Sequence, residues 1–392
     1  MSVNMPSTIR KMNKEIVLNT IREEGPLTRA QISKESGITK ATVSEIVSEL
    51  IDEQLVTDEK EDDDTSRRGT KLSFAKDSFY GVAVDLGGTK INICLFNLEA
   101  EILGQYQTPT YKTDSSEAFI DSLTEDIEAF IAEKQVPKEK MKVISIATPG
   151  IVDYKAGVVL EGSPNLPEWS NLHLKEMLYK RTGIEIVIEN DIRAALIGEL
   201  YKEEAQTSSS AVLIGLGTGA GSALFMDGKI IRGANNAAGE VGYMLFNREH
   251  LYAPTDKGYF EILCAGSGIE ESYHKLKGEK VTPEAIFKLA SQGDLTAKYI
   301  VDKFSDYLAI GILNINAVIN PEKVLLMGGV TKSAGLFLED VNQKIANQTF
   351  SNTKVQVELS SLKEQAPLYG AAVLGLSTVF PSINFIKDAQ LY

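Results

Sequence analysis

Residues 80–103 read YGVAVDLGGTKINICLFNLEAEIL: an apolar run, a glycine turn, a second apolar run, a short polar turn and a third run. That is the pattern of three consecutive strands joined by tight turns. Residues 211–231, AVLIGLGTGAGSALFMDGKII, repeat it. Such duplication predicts two similar α/β lobes. In each copy the first turn is rich in glycine, Asp85-Leu86-Gly87-Gly88-Thr89-Lys90 and Gly215-Leu216-Gly217-Thr218-Gly219-Ala220-Gly221, and the two turns are expected to face each other across a cleft. Glycine lets backbone N–H groups approach phosphate oxygens, and threonine hydroxyls add donors. Asp85, Gly87, Gly88, Thr89 and Lys90, with Gly217, Thr218 and Gly219, are therefore candidate phosphate or nucleotide contacts. A dinucleotide fingerprint does not fit, because a strand follows the turn where a helix is required and Ser222 stands where the third glycine belongs.

Between the copies lie three polar stretches: Ala147-Thr148-Pro149-Gly150-Ile151-Val152-Asp153, Asn165-Leu166-Pro167-Glu168-Trp169 and Val187-Ile188-Glu189-Asn190-Asp191. Beyond the second copy, Gly239-Glu240-Val241-Gly242 and Glu261 add carboxylates. Singly, such residues cap helices and close turns. Together they suit a polyhydroxylated ligand, each of whose hydroxyls wants a donor and an acceptor. Trp169, the only tryptophan, fits either of two roles, stacking on a sugar or packing in a core. Near the end, Asn320-Pro321-Glu322 and an apolar run lead to Gly328-Gly329, a glycine pair suited to close approach by a flat ring such as adenine.

Outward to the N-terminus, periodicity predicts a helix over residues 10–24 with Met12, Ile16, Val17 and Ile21 on one face, ended by Gly25-Pro26. Leu27-Thr28 starts a second helix, capped by Thr28, and Gly37 makes the turn after it. Thr39 then caps a third helix beginning Lys40-Ala41-Thr42. Val43, Ile46, Val47, Leu50 and Ile51 form its buried stripe. This is helix-turn-helix spacing. The small and hydroxylated face, Thr39, Lys40, Ala41, Thr42 and Ser44, suits close entry into a DNA major groove, with Arg29 and Lys34 as further phosphate contacts. Leu55-Val56-Thr57 and Lys71-Leu72-Ser73-Phe74 read as the strands of a wing, and Arg67 and Arg68 at its base suit phosphate or minor-groove contact.

The chain has 392 residues and a formal net charge of −14, which excludes a protein that coats nucleic acid by bulk attraction. Residues 1–75 hold eleven Lys or Arg against fourteen Asp or Glu, six of those acids within residues 58–64. DNA contact must therefore be local, with modest affinity per subunit and specificity gained by dimerisation. No apolar run is long enough for a membrane span and the N-terminus lacks a signal-peptide core, so a cytoplasmic location is expected. Cys94 and Cys264 sit in apolar neighbourhoods and read as core residues, while His173, His250 and His274 show no metal-ligand spacing.

With Thr39-Lys40-Ala41-Thr42-Val43-Ser44, Asp85 to Lys90, Ala147 to Asp153, Asn190-Asp191, Gly239 to Gly242 and Asn320 to Gly329 in this order, nearly the entire chain resembles the ROK family of sugar-responsive repressors and sugar kinases. The resemblance implies an α/β fold: a winged helix-turn-helix at residues 1–75, then a two-lobed actin-like, ribonuclease-H-type body at 76–190 and 191–392, whose C-terminal helix is free to return to the first lobe. The N-terminal domain marks the repressor branch, of the xylose-repressor-like kind. It implies a homodimer or dimer of dimers that binds double-stranded operator DNA and a sugar or sugar-phosphate effector. Asn165, Asn190, Glu240 and Glu261 match sugar-contacting positions, and Asp191 matches the base of the kinases. Asp85 matches the group near magnesium and phosphate. The alternative is an ATP-dependent sugar kinase, for which Mg-ATP would be the cofactor and Asp191 catalytic. A repressor released by a protein partner is a third reading. Zinc is not expected: the family's ligand positions, one histidine and three cysteines, are here Tyr243, Tyr252, Pro254 and Tyr259. The loop over residues 243–260 is then left to aromatic packing.

Overall fold

A computed structural model gives the fold and describes residues 5–59, 70–163, 165–203, 208–252, 257–348, 355–387 and 389–391. The N-terminal domain comprises α1 (Met5–Glu24), β1 (Leu27–Thr28), α2 (Arg29–Ser36), α3 (Lys40–Asp52), β2 (Val56–Glu59) and β3 (Lys71–Phe74). Its caps follow the sequence. The Thr28 hydroxyl accepts from the Gln31 amide N–H while the Gln31 side chain accepts from the Thr28 amide at 2.9 Å, a reciprocal box that satisfies two otherwise unpaired donors. Gly37 ends α2 at φ +70°, and Thr39 caps α3 by accepting from the Thr42 N–H. Val43, Ile46, Val47 and Leu50 are buried, as are Val17, Leu18 and Ile21 of α1, Ile32 of α2 and Leu72 of β3, with α1 packed on α2, α3 and β3. Each such side chain is worth roughly 1.5–3 kcal/mol relative to exposure.

Three expectations are corrected here. Met12 and Ile16 are 54% and 43% exposed, and α1 buries Val17, Leu18 and Ile21 instead, because α2, α3 and β3 gather against one side of its second half. Ile51, at the edge of the α3 stripe, is only partly buried. Leu27 and Thr28 form a short strand paired antiparallel with Leu72 and Lys71, which completes a three-stranded sheet of order β1-β3-β2. Arg67 and Arg68 lie outside the described residues.

The chain divides into two compact units, Met1–Thr148 with Tyr154–Ile188 and Ala371–Lys387, and Pro149–Asp153 with Glu189–Gly370 and Asp388–Tyr392. In the first, β4 (Tyr80–Leu86), β5 (Lys90–Asn97) and β6 (Ile102–Pro109) are followed by α4 (Ser116–Glu133) and β7 (Met141–Thr148). β9 (Val158–Glu161) and helix α5 (Leu174–Thr182) lead to β10 (Glu185–Asn190), while the short strand β8 (Ile151–Asp153), which pairs with β9, falls in the second unit. The sheet order is β10-β7-β4-β5-β6. The second unit begins with α6 (Asp191–Lys202), β11 (Ser210–Leu216), β12 (Ala220–Met226) and β13 (Lys229–Ile231). It continues through α7 (Tyr259–Cys264), α8 (Gly266–Lys277), α9 (Pro283–Ser291) and α10 (Leu295–Ile319). Then come β14 (Lys323–Met327), α11 (Leu338–Ala346), β15 (Gln356–Leu359) and α12 (Ala366–Val379), whose residues from Ala371 on belong to the first unit. Its sheet order is β13-β12-β11-β14-β15. Numbered from its own first strand, each sheet therefore reads 3-2-1-4-5, with strands 1, 2 and 3 antiparallel and strands 1 and 4 parallel. The duplicated sequence is a duplicated topology, as an actin-like body requires.

In the second unit, T-shaped contacts from Phe304 to Phe287 and Phe337 centre the core, and α6 and α12 cross at glycines: a Cβ on Gly198 would lie 2.3 Å from the Ala366 carbonyl oxygen, and one on Gly370 would lie 1.6 Å from that of Ala194. The buried Glu199 carboxylate accepts from the Ser361 and Leu362 amides and the Ser361 hydroxyl at 3.1, 2.9 and 2.8 Å, pinning the loop that leads into α12. Trp169 belongs to the first unit and is 2% exposed; its indole N–H donates to Thr148 Oγ1 at 2.9 Å and its ring meets Phe119 edge-on. It is a packing residue. Cys94 and Cys264 are both buried and free, and burial pushes the Cys94 thiol up to about 12. No described helix is long and apolar enough to cross a membrane.

Candidate DNA-reading helix and carbohydrate site

At the start of α3, Thr39, Lys40 and Ala41 are exposed and Thr42 and Ser44 are half-buried, with the hydroxyls of Thr39 and Thr42 sharing a 3.0 Å hydrogen bond. Arg29 and Lys34 sit on α2, Lys34 fully exposed. The acids of α3 are handled by α1. Arg10 pairs with Glu45 at 3.9 Å and with Glu49, and Lys14 pairs with Glu53 and, at 4.0 Å, with Glu49. Their charge is thus largely met within the domain, and the N-terminal turn keeps a small, basic and hydroxylated surface.

The carbohydrate candidates of the second unit gather around β11 and β12, against which α6 packs. Asn190 caps α6: its carbonyl accepts from the Ile192 and Arg193 amides, both at 3.1 Å, while its amide donates to the Gly150 carbonyl at 3.0 Å and to Asp191 Oδ1 at 3.1 Å. Its side chain is thus engaged by Gly150 and the start of α6 as well as by Asp191. Asp191 is half-buried, and desolvation lifts its carboxyl above the ordinary aspartate range although the backbone amides of the helix start pull the other way. Glu261, in α7, accepts from the Ala220 amide at 3.2 Å beside the Gly217-Thr218-Gly219 turn. Glu240 is exposed on the adjoining loop. That loop presses on β12 through glycines: Gly239 has φ +97°, and a Cβ there would lie 2.1 Å from the Ser222 carbonyl oxygen. The parallel pairing of β11 and β14 places Gly217 and Gly328-Gly329 at one sheet end, where a Cβ on Gly217 or Gly329 would meet open space. The Gly266 amide at the start of α8 donates to the Gly217 carbonyl at 2.8 Å and fixes the turn. Two glycine segments distant in sequence thus lie at one end of the sheet, the end where ligands of parallel α/β sheets bind.

In the first unit, the Gly87 N–H donates to the Lys90 carbonyl at 2.9 Å, closing the 87–90 turn, and Asp85 accepts from Asn92 Nδ2 at 3.0 Å. Gly88 and Thr89 are exposed, Gly87 and Lys90 less so. Asn165 lies over Gly88: a Cβ there would approach its Nδ2 at 3.4 Å.

Behind the site lie Glu189, part of the polar stretch 187–191 but given no role there, and Arg193 and Arg232, which the sequence reading does not single out. Glu189 is 1% exposed, and both its carboxylate oxygens face guanidinium groups: Arg193 Nη1 at 3.4 Å on one, Arg232 Nη2 at 2.7 Å on the other. The Asn190 amide donates to the same carboxylate at 2.9 Å. Arg193 also donates to the Asn236 and Ala238 carbonyls, on the loop that carries Glu240. The i,i+4 spacing of Glu189 and Arg193 was a usable signal; Arg232 offered none.

Tyr243, Tyr252 and Tyr259 offer zinc no thiolate or imidazole at the family's ligand positions. Tyr243 and Tyr252 are 64% and 73% exposed, Tyr259 stacks on His250 with centroids 3.6 Å apart, and Pro254 lies outside the described residues. His250 Nδ1 accepts from the Phe246 amide at 3.3 Å, and Phe246 packs on Phe260 and Tyr307. Among the described residues no three His, Cys, Asp or Glu side chains gather as metal ligands.

A family model described as the ROK family matches residues 81–377, and one described as the MarR family matches residues 16–69. The chain is 27% identical over 368 residues to the xylose repressor of Bacillus subtilis (strain 168), covering 92% of this chain and 94% of that one. It is 29% identical over 310 residues to a glucokinase of Thermotoga maritima, covering 74% of this chain and 95% of the kinase. The crystal structure of a ROK family transcriptional regulator, a homologue of the E. coli MLC protein, matches with a TM-score of 0.81 at 24% identity, over 97% of this chain and 98% of that one. That last likeness speaks for the fold. The family match spans most of the molecule and both glycine-turn repeats, and the chain belongs to the ROK family.

Proposed function

We propose that this chain is a cytoplasmic, DNA-binding repressor of carbohydrate-utilisation genes whose body binds a sugar or sugar phosphate. One observation supports this above the others: a winged helix-turn-helix with an open α3 N-terminus is joined to a body in which Asp191 heads α6, packed on β11 and β12, while Glu261 and the Gly239-Glu240 loop bond to Ala220 and Ser222 of β12. In this reading Asp191, Glu240 and Glu261 accept from sugar hydroxyls, and Asn190 positions Asp191. Ligand differs in affinity between two arrangements of the body and so alters operator affinity. The protein acts as a homodimer on paired half-sites. Ile9, Met12 and Ile16, exposed at helical spacing on α1, suit a subunit contact.

The test is selection of an operator from a random duplex pool, followed by binding with D-xylose, D-glucose, N-acetyl-D-glucosamine and their phosphates. At least one should change operator affinity; absence of sequence-specific binding under every condition would reject the proposal. Lys40→Ala should weaken binding by a similar factor on all sequences and reduce the salt slope by about one, as loss of a phosphate contact does. A slope equal to that of the unaltered chain would remove Lys40 from the phosphate contacts.

A second reading, sugar phosphorylation, draws on Asp191, whose raised pKa suits a base accepting a proton from a sugar hydroxyl. Gly217-Thr218-Gly219 and Gly328-Gly329 of the second unit would hold Mg-ATP, which supplies the transferable phosphoryl group. A coupled ADP assay tests it, and turnover surviving Asp191→Ala would take Asp191 out of the reaction.

A further inference from the structure

Within the first unit, the last turns of α1 carry polar contacts that belong neither to the DNA face of α3 nor to the sugar candidates. Arginine is ordinarily exposed, yet the Arg22 side chain is only 10% exposed. Its Nε donates to both carboxylate oxygens of Glu99 at 3.0 Å and its Nη2 to one of them at 2.9 Å, Glu99 standing in the turn between β5 and β6. Its Nη1 donates to the Asn384 carbonyl at 2.7 Å, and the guanidinium carbon lies 4.9 Å from the centroid of the buried Phe385 ring. Three residues earlier, and so on the same helix face, Asn19 donates to the Ser382 carbonyl at 3.0 Å and accepts from the Asn384 amide at 2.9 Å. Two segments therefore hold α1: the β5–β6 turn and residues 382–385 beyond α12. The connection that follows the wing is tied as well. The Ala75 amide donates to the Leu55 carbonyl at 3.0 Å, the Leu98 amide donates to the Lys76 carbonyl at 2.9 Å, and Phe79 stacks on Phe380 with centroids 5.5 Å apart.

A domain that needs only a tether has no use for such a joint. Burying a guanidinium costs hydration, and a fork that meets a carboxylate, a carbonyl and an aromatic face together is satisfied in one orientation. What the joint specifies is direction. Because α3 packs on α1 and α1 is bonded to the sheet, the N-terminus of α3 has a set direction in the frame of the first unit. Two subunits then present their α3 helices at one separation and one rotational phase, which half-sites on a duplex match at one spacing. Resting on the dimeric DNA-binding function proposed above, we infer that Arg22 and Asn19 are positioning residues for operator recognition. They clamp α1 to the β5–β6 turn and to residues 382–385, and thereby set the half-site spacing that the protein accepts. A winged domain freed from this clamp would reach half-sites over a range of spacings, as a flexibly linked second module does.

The experiment varies the DNA as well as the protein. From the selected operator, duplexes are made with the half-sites moved apart by about two and about five base pairs, roughly one fifth and one half of a helical repeat. A further duplex carries a single half-site. Binding of the full chain and of Arg22→Gln is measured on each without sugar. The full chain should lose about tenfold or more in affinity on each respaced duplex, because its α3 helices no longer meet the groove in phase. Arg22→Gln should bind the respaced duplexes within about threefold of the original one, and the single half-site within about threefold of the full chain. Arg22→Lys, which keeps the charge but cannot make the fork, should fall between the two. A change that merely weakened folding would lower affinity for every duplex alike and leave the ratio between spacings unmoved. Should Arg22→Gln fail to fold, Arg22→Met combined with Glu99→Gln reads the same ratio and leaves no buried charge unpaired. A variant as selective for spacing as the full chain, or a full chain that binds every spacing alike, would overturn the clamp while leaving the proposed function standing. A full chain with no sequence-specific binding would remove that function itself.

Discussion

Asp191→Asn is expected to lower sugar affinity by roughly 10- to 150-fold, the loss of a hydrogen bond to a charged acceptor, about 1.5–3 kcal/mol, and with it the sugar's effect on operator binding. The substitution is close to isosteric. The Asn carbonyl can still accept from the Ile192 amide, as Asp191 Oδ1 does at 2.9 Å, so the start of α6 survives. A purely structural Asp191 would make this change destabilising. The opposite sign is expected, because the folded chain holds the Asp191 proton to higher pH than the unfolded chain does. Above that pH folding carries the cost of a desolvated charge, and stability falls as pH rises through it. Removing the charge should raise the thermal midpoint at pH 7 while weakening the ligand, the exchange of stability for activity common at binding sites. Sugar affinity of the unaltered chain should also decline as pH is lowered, beginning above the normal carboxylate range, since the protonated acid no longer accepts from a hydroxyl in the same way. Calorimetry over a pH series together with melts of both proteins reads all three effects, and unchanged sugar affinity in the Asn variant would remove Asp191 from the site.

The second large effect concerns packing. Gly370→Val should destabilise the second unit by about 3 kcal/mol or more, the upper range for overpacking, because even a Cβ at 370 would stand 1.6 Å from the Ala194 carbonyl oxygen. For a body of this size that corresponds to a fall in melting temperature of roughly 6 °C or more. Relief requires α6 to move away from α12, and α6 begins with Asp191, so residual folded protein should bind sugar more weakly. Gly335→Ala is the control. A Cβ there meets nothing within 4 Å, and its effect should stay within about 0.5 kcal/mol. Equal melting temperatures for the two variants would show that the helix crossing adapts to a larger residue.

Local chemistry made much of this fold readable. Thr28, Gly37 and Thr39 are cap residues whose roles depend on neighbours three residues away, and the duplicated runs at residues 80–103 and 211–231 describe hairpins whose partners are close in sequence. What stayed hidden depends on distant neighbours. Periodicity grouped Met12 and Ile16 with Val17 and Ile21, but which part of an apolar stripe is covered depends on where α2, α3 and β3 end up. Leu27 and Thr28 are too short a run to announce a strand, and only β3, more than forty residues later, makes them one. The site shows the same division. Asp191 was recognisable from its place at a strand end. Asn190 was recognisable as polar, but its use as a cap with every hydrogen-bonding group occupied follows from Gly150 and the α6 amides. Arg232 and the Leu391 carbonyl that accepts from it belong to segments about 160 residues apart, and nothing in the local sequence of either marks the pairing.

Trp169 also gives the molecule an internal optical reporter. It is the only indole in the chain and its ring is shielded from water within the first unit, so native emission should be blue-shifted and should redden when water reaches that core. Fluorescence then follows the melting of the first unit, while circular dichroism follows both. Divergence between the two signals would measure how independently the halves of the molecule lose their structure.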